Sequence, residues 1–116
     1  MTNQLERRTK KFALDVITLV GSLTKSKASD ALGYQLLKSG TSVGANYREA
    51  MRAQSRDDFI HKLGICEKEA PETEYWIELL IEARLVSSVT PTPLLNEARE
   101  LLAMLVASSK TAKSRR

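Results

Sequence analysis

Residues 38–50 read KSGTSVGANYREA. Two glycines, two serines, a threonine and an asparagine crowd this run, and all are poor helix formers. The flanking sequence nevertheless repeats with helical spacing, and the repeat passes through the run unbroken. Leu32, Leu36, Ser39, Val43, Asn46, Ala50 and Ala53 alternate by four and three. A phosphate loop needs Gly, four residues, then Gly-Lys-Ser/Thr after a strand. Here Gly40 leads to Gly44-Ala45-Asn46, no strand pattern precedes it, and no G-x-G-x-x-G occurs. The run therefore reads as helix. Gly40 and Gly44 share a face and permit close approach by a neighbouring helix. Each costs about 1 kcal/mol relative to Ala, so packing must offset it. Gln35, Ser39, Ser42, Asn46 and Glu49 form a second, polar stripe. A polar seam inside a bundle or an interface must be hydrogen-bonded.

Three further segments carry helical periodicity. The first spans about Gln4 to Lys25, with Leu5, Phe12, Val16, Leu19 and Leu23 on one stripe. SKASD (26–30) breaks the pattern, and Ser29 or Asp30 is the expected cap of the second helix. Ser55 reads as the cap of the third, before Asp57 and Asp58, because acids suit a first turn. That third segment runs from about Arg56 to Leu85. Phe59, Leu63, Cys66, Ala70, Thr73, Ile77 and Leu80 alternate by four and three, the spacing of a long bundle helix. Pro71 lies inside it and predicts a kink, through a lost hydrogen bond and a clash with the Glu67 carbonyl. SSVTPTP (87–93) reads as a loop. The fourth helix is expected from about Pro93 to Ser108, followed by a polar, basic, frayed tail over 109–116. Nothing alternates with β period. The expected fold is all-α, an antiparallel up-down-up-down four-helix bundle in one domain over 1–116, with a long, kinked third helix.

Composition limits the function classes. The 116 residues carry 18 Lys/Arg against 14 Asp/Glu, a formal net charge of +4. Residues 1–27 are net +4 and 87–116 net +3, whereas 56–86 are net −4. Basic ends favour contact with a polyanion. Arg7, Arg8, Lys10, Lys11, Lys110, Lys113, Arg115 and Arg116 are the candidate phosphate contacts. A single cysteine, Cys66, cannot form an internal disulfide, which favours a reducing cytoplasmic setting. No apolar run approaches the roughly 20 residues of a membrane span, and no signal-peptide pattern is seen. Di-metal helical bundles require two Glu-x-x-His motifs. The chain has one histidine, His61, with Asp58 three residues before it. No catalytic, cofactor or metal site is expected. Cys66 falls on the apolar stripe and reads as core.

The order SGTSVGANYREA (39–50), DFIHKLGICEKEA (58–70) and ETEYW (72–76) resembles the four-helix-bundle proteins encoded by intervening sequences in 23S ribosomal RNA genes. Their relatives include accessory proteins of diversity-generating retroelements. The resemblance implies a homopentamer of four-helix bundles. It also implies a basic surface that, in the retroelement relatives, binds nucleic acid and a reverse transcriptase. By position, Ser39, Ser42, Gly44, Asn46, Tyr47, Arg48 and Glu49 match its first characteristic segment. Phe59, Lys62, Glu69, Glu72, Tyr75 and Trp76 match the second. The resemblance also suggests that Arg48 pairs with Glu72. Pro71 departs from the pattern. Two functions follow as expectations. One is a non-enzymatic oligomer binding RNA, or less readily DNA, through a basic surface. The other is a scaffold docking a protein such as a reverse transcriptase without touching nucleic acid.

Overall fold

The computed structural model describes residues 3–86 and 91–115. Four helices, α1 (Gln4–Gly21), α2 (Lys27–Met51), α3 (Arg56–Glu82) and α4 (Pro91–Ser114), form an elongated bundle of 48 × 22 × 22 Å. Chain neighbours pack together, and α1 closes against α4, while among the described residues the backbones of the diagonal pairs do not approach closely. That is the up-down-up-down arrangement. The core is the set of expected stripes: Phe12, Val16, Leu36, Val43, Leu63, Ile77, Leu80, Leu101 and Leu105 are fully buried.

The helix starts follow from local capping. Asn3 Oδ1 accepts hydrogen bonds from the amides of Leu5 and Glu6. Ser55 caps α3 as expected, accepting from the Asp58 amide at 3.0 Å. The cap of α2 is Ser26, which accepts from the Ser29 amide at 3.0 Å. The expectation of Ser29 or Asp30 is corrected: both lie in the first turn, where Ser29 is buried. α3 continues unbroken across Pro71, whose ring is exposed. It stops three residues short of Leu85 in a Schellman turn. The amides of Leu85 and Arg84 bond the carbonyls of Leu80 and Ile81, each at 3.0 Å. Arg84 takes a positive φ of 59° to do so. α4 is longer than expected at both ends. Pro91 opens it, since a first-turn proline loses no intrahelical bond. At the other end residues 109–114 stay helical, with Ser109 buried, so they form a last turn and a half where a frayed tail was expected. The expected loop residues 87–90 lie outside the described residues.

The glycine seam of α2 faces α1. A Cβ on Gly40 would lie 2.8 Å from Val16 Cγ2, and one on Gly44 3.1 Å from the Thr9 carbonyl oxygen. The opposite flank of α2 faces α3. There the Ser39 and Thr73 hydroxyls, both buried, share a hydrogen bond of 3.0 Å. Asn46 Nδ2 turns back on Ser42, donating at 2.9 Å to both its carbonyl and its hydroxyl.

Gly40→Ala should destabilise by about 1–3 kcal/mol, because the new methyl meets a stiff β-branched side chain. Gly64→Ala should stabilise by about 0.5–1 kcal/mol, because it is helical with nothing within 4 Å of its Cβ direction. Urea unfolding of both variants checks the pair, and opposite signs are expected. Arg84→Gly should gain about 1 kcal/mol in the same assay by relieving the left-handed conformation.

Candidate nucleic-acid interface

Antiparallel threading sets where the charges meet. The start of α1, the end of α2, the start of α3 and the end of α4 share one pole of the bundle. Direct contacts hold them there. Asn3 Nδ2 donates to Tyr47 Oη at 2.8 Å, and the Arg56 guanidinium donates to the Arg115 carbonyl. Counted along each helix from its own end at this pole, at 1.5 Å per residue, exposed Arg7, Lys10, Arg48, Arg52, Arg56, Lys110, Lys113 and Arg115 lie within about 10 Å of that end, and α4 overhangs the start of α1, where Arg8 meets Glu97 and Met104. Half-buried Lys62 lies at the same level. The acids at that level are Glu6, Glu49, Asp57 and Asp58. Glu67, Glu69, Glu72, Glu74, Glu78 and Glu82 follow along the rest of α3. The acidic stretch is the middle and end of α3, and at the opposite end of the bundle Lys25, Lys27 and Arg84 are exposed beside Asp30 and Glu82.

Five of the eight cations expected to meet phosphate, Arg7, Lys10, Lys110, Lys113 and Arg115, lie exposed at this pole. Arg8 is occupied differently. Its Nε and Nη2 clasp Glu97 at 2.9 and 2.5 Å, and Nη2 lies 3.5 Å from Glu100. Such a bidentate pair ties α1 to α4. Lys11 is bound to Asp15 at 2.7 Å, one turn along α1. Arg116 lies outside the described residues. Arg48, Arg52 and Arg56 join the set although charge windows along the chain passed over them. Residues 28–55 are net +1, and Arg56 opens the acidic window. The available signal was their place around the short α2–α3 turn, which antiparallel packing returns to the start of α1.

Two clefts open at the pole. One, of about 420 Å³, lies between α1 and α2 and is lined by Lys10, Arg48 and Arg52 together with Glu6, Glu49 and Gly44. The other, of about 500 Å³, lies between α3 and α4 and is lined by Arg56, Phe59, Ala107, Ser108, Thr111 and Arg115.

The remaining motif residues divide by face. Arg99 of α4 pairs with Glu74 and Glu78 at 3.4 and 3.5 Å, which identifies the α4-facing flank of α3. By helical spacing Lys62, Glu69, Glu72 and Trp76 occupy the opposite flank of α3. Trp76 Nε1 donates to Glu72 at 3.4 Å, and Tyr75 stands exposed with its ring edge-on to Trp76, 5.2 Å between centroids. Tyr47 is buried, and burial raises the pKa of its phenol. The suggested Arg48–Glu72 pair is corrected. Glu72 sits 16 residues into α3, about 24 Å from the pole, and Arg48 is three residues from the end of α2 on the flank toward α1.

Cys66 is fully buried, and its thiol donates to the Val43 carbonyl at 3.4 Å. Desolvation pushes its pKa up to about 12. Among the described residues, no three His, Cys, Asp or Glu side chains gather as a metal site, and no helix is long and apolar enough to cross a membrane.

The fold and pole define a small helical-bundle protein with a cationic end. The chain belongs to the 23S rRNA-intervening sequence protein family, whose model matches residues 2–107. It is 40% identical to a solved Bacteroides thetaiotaomicron protein of unknown function from the S23 ribosomal protein family. That match covers 91% of this chain and 98% of the other, with a TM-score of 0.85. No curated protein matches the chain.

The raised Cys66 pKa has a sign that can be checked. A buried thiol favours the protonated form, so its contribution to stability is full below the unfolded pKa near 9 and is lost as pH rises toward 12. Labelling by a chromogenic disulfide at pH 8 should accordingly proceed at the rate of unfolding, with native protein protected. Rapid labelling of native protein would contradict the burial.

Proposed function

We propose that this chain is a non-enzymatic, oligomeric bundle protein of the cytoplasm that binds nucleic acid through the basic pole, RNA in preference to DNA. The convergence of eight exposed cations from all four helices at one end carries this reading. Lys and Arg side chains on helix ends contact phosphates, which gives affinity and position without sequence readout. The preference for RNA is suggested by the family's name, 23S rRNA-intervening sequence protein, which places its genes within rRNA sequence.

A homopentamer is the assembly that the family resemblance implies. The outer face of α1 suits a contact between copies, since Leu14 and Ile17 are 54% and 49% exposed there. Five copies would carry about +20, a far stronger field than one. Sedimentation analysis should find a particle of five chains, and Leu14→Lys with Ile17→Lys should dissociate it into folded monomers. A wild-type monomer would remove the assembly from this reading.

Anisotropy titration of a structured RNA across several salt concentrations tests the pole. Affinity should fall steeply with salt, with log K losing about 0.9 per phosphate neutralised for each decade of salt on duplex. Arg52→Glu with Lys110→Glu should flatten that slope and leave stability unchanged. Arg8→Ala should do the reverse, because its guanidinium already serves Glu97. Absence of binding at low salt would transfer the role to docking of a protein partner, such as a reverse transcriptase.

A further inference from the structure

We infer that the cleft between α3 and α4 at the basic pole holds one unpaired nucleobase against the Phe59 ring. The inference rests on the pole binding nucleic acid, and it specifies which form is preferred. Cations alone attract any phosphate backbone. A stacking site needs in addition an accessible ring beside them. Among the described residues, exposed Tyr34 and Tyr75 lie away from the pole, Tyr75 about 28 Å from the start of α3 by helical rise. Tyr47 is buried. Phe59 is half-buried: one part packs on the core and the rest lines the cleft. Its orientation is thereby held without a ligand.

The other walls suit a nucleotide. Arg56 and Arg115 stand at the cleft, and the bond from the Arg56 guanidinium to the Arg115 carbonyl bridges α3 to α4. Both cations can meet the phosphates on either side of an inserted base. Ser108 and Thr111 place hydroxyls on the α4 wall, and these can pair with a base edge as donor or acceptor. Ala107 leaves the space open. A volume of about 500 Å³ lies in the range of small-ligand pockets, and it admits one base but no base pair with its backbones. The cleft therefore distinguishes an RNA with an unpaired nucleotide from a continuous duplex, while the remaining cations hold the adjoining backbone.

Two RNA hairpins provide the test, identical except that one carries a single unpaired 3′ nucleotide. Both should bind, and the overhang should tighten binding about thirtyfold, the middle of the range for one base on an aromatic ring. Phe59→Leu preserves apolar volume and should abolish the difference without altering the salt slope. Ala107→Leu, which fills the cleft and spares the ring, should do the same. A 4-thiouridine at the unpaired position should crosslink within residues 56–59 or 107–115. Equal affinity of the parent protein for both hairpins would overturn the inference and leave the pole reading intact. Survival of the overhang preference in both variants would also overturn it. Failure to bind either hairpin at low salt would overturn both readings together.

Discussion

The approach of α1 to α2 is the contact on which the remaining arrangement depends. At Gly40 and Gly44 the α2 backbone lies against Val16 and the Thr9 carbonyl, with no room for a methyl group. Two glycines inside a helix cost stability, and dispersion and burial along that seam must offset it. The close approach lets Val16 enter the core, where it is fully buried beside Leu36 and Val43. It also determines the level at which α1 lies along α2. Asn3 then meets Tyr47, and the first two turns of α1 come level with Arg48 and Arg52. A bulkier seam would separate those cations.

At the basic pole two helices start and two end. Their dipoles largely offset one another, so side chains decide the sign of the field. That field is not the sum of the local Lys and Arg residues. Arg8 spends its charge on Glu97 and Glu100, and Lys11 on Asp15. What is left for a partner is the exposed, unclasped set. Between α2 and α3 the polar seam plays a different part. Its inner member, Ser39, is satisfied by Thr73, and Asn46 by Ser42. The small polar residues of the 39–50 run are thereby accounted for inside the monomer, while Glu49 stays at the surface.

Much of the fold was legible because helical periodicity is a local property. Leu32, Leu36, Val43 and Ala50 announce a helix straight through an unfavourable composition, and Ser55 announces the next. Boundaries were less legible. Ser26 and Ser29 both suit a cap, and only the geometry of the turn after Leu23 selects Ser26. The end of α4 looked polar, yet the helix runs on to Ser114 and packs Ser109 against the bundle. At the pole, Arg7, Lys10, Lys110, Lys113 and Arg115 could be read from basic termini. Arg48, Arg52 and Arg56 could not, because each stands among acids or neutral residues in the linear order.

The sequence by itself determined four helices, their apolar stripes, the glycine seam and the membership of Cys66 in the core. These follow from spacing and side-chain volume within one helix. The tertiary structure decided which helix faces the glycines, which cations are free, and where Phe59 lines an open cleft. These depend on pairings between residues roughly 25–90 positions apart, such as Gly40 with Val16, Arg56 with Arg115 and Arg8 with Glu97. Charge and ring accessibility are properties of such pairings, and no local pattern encodes them.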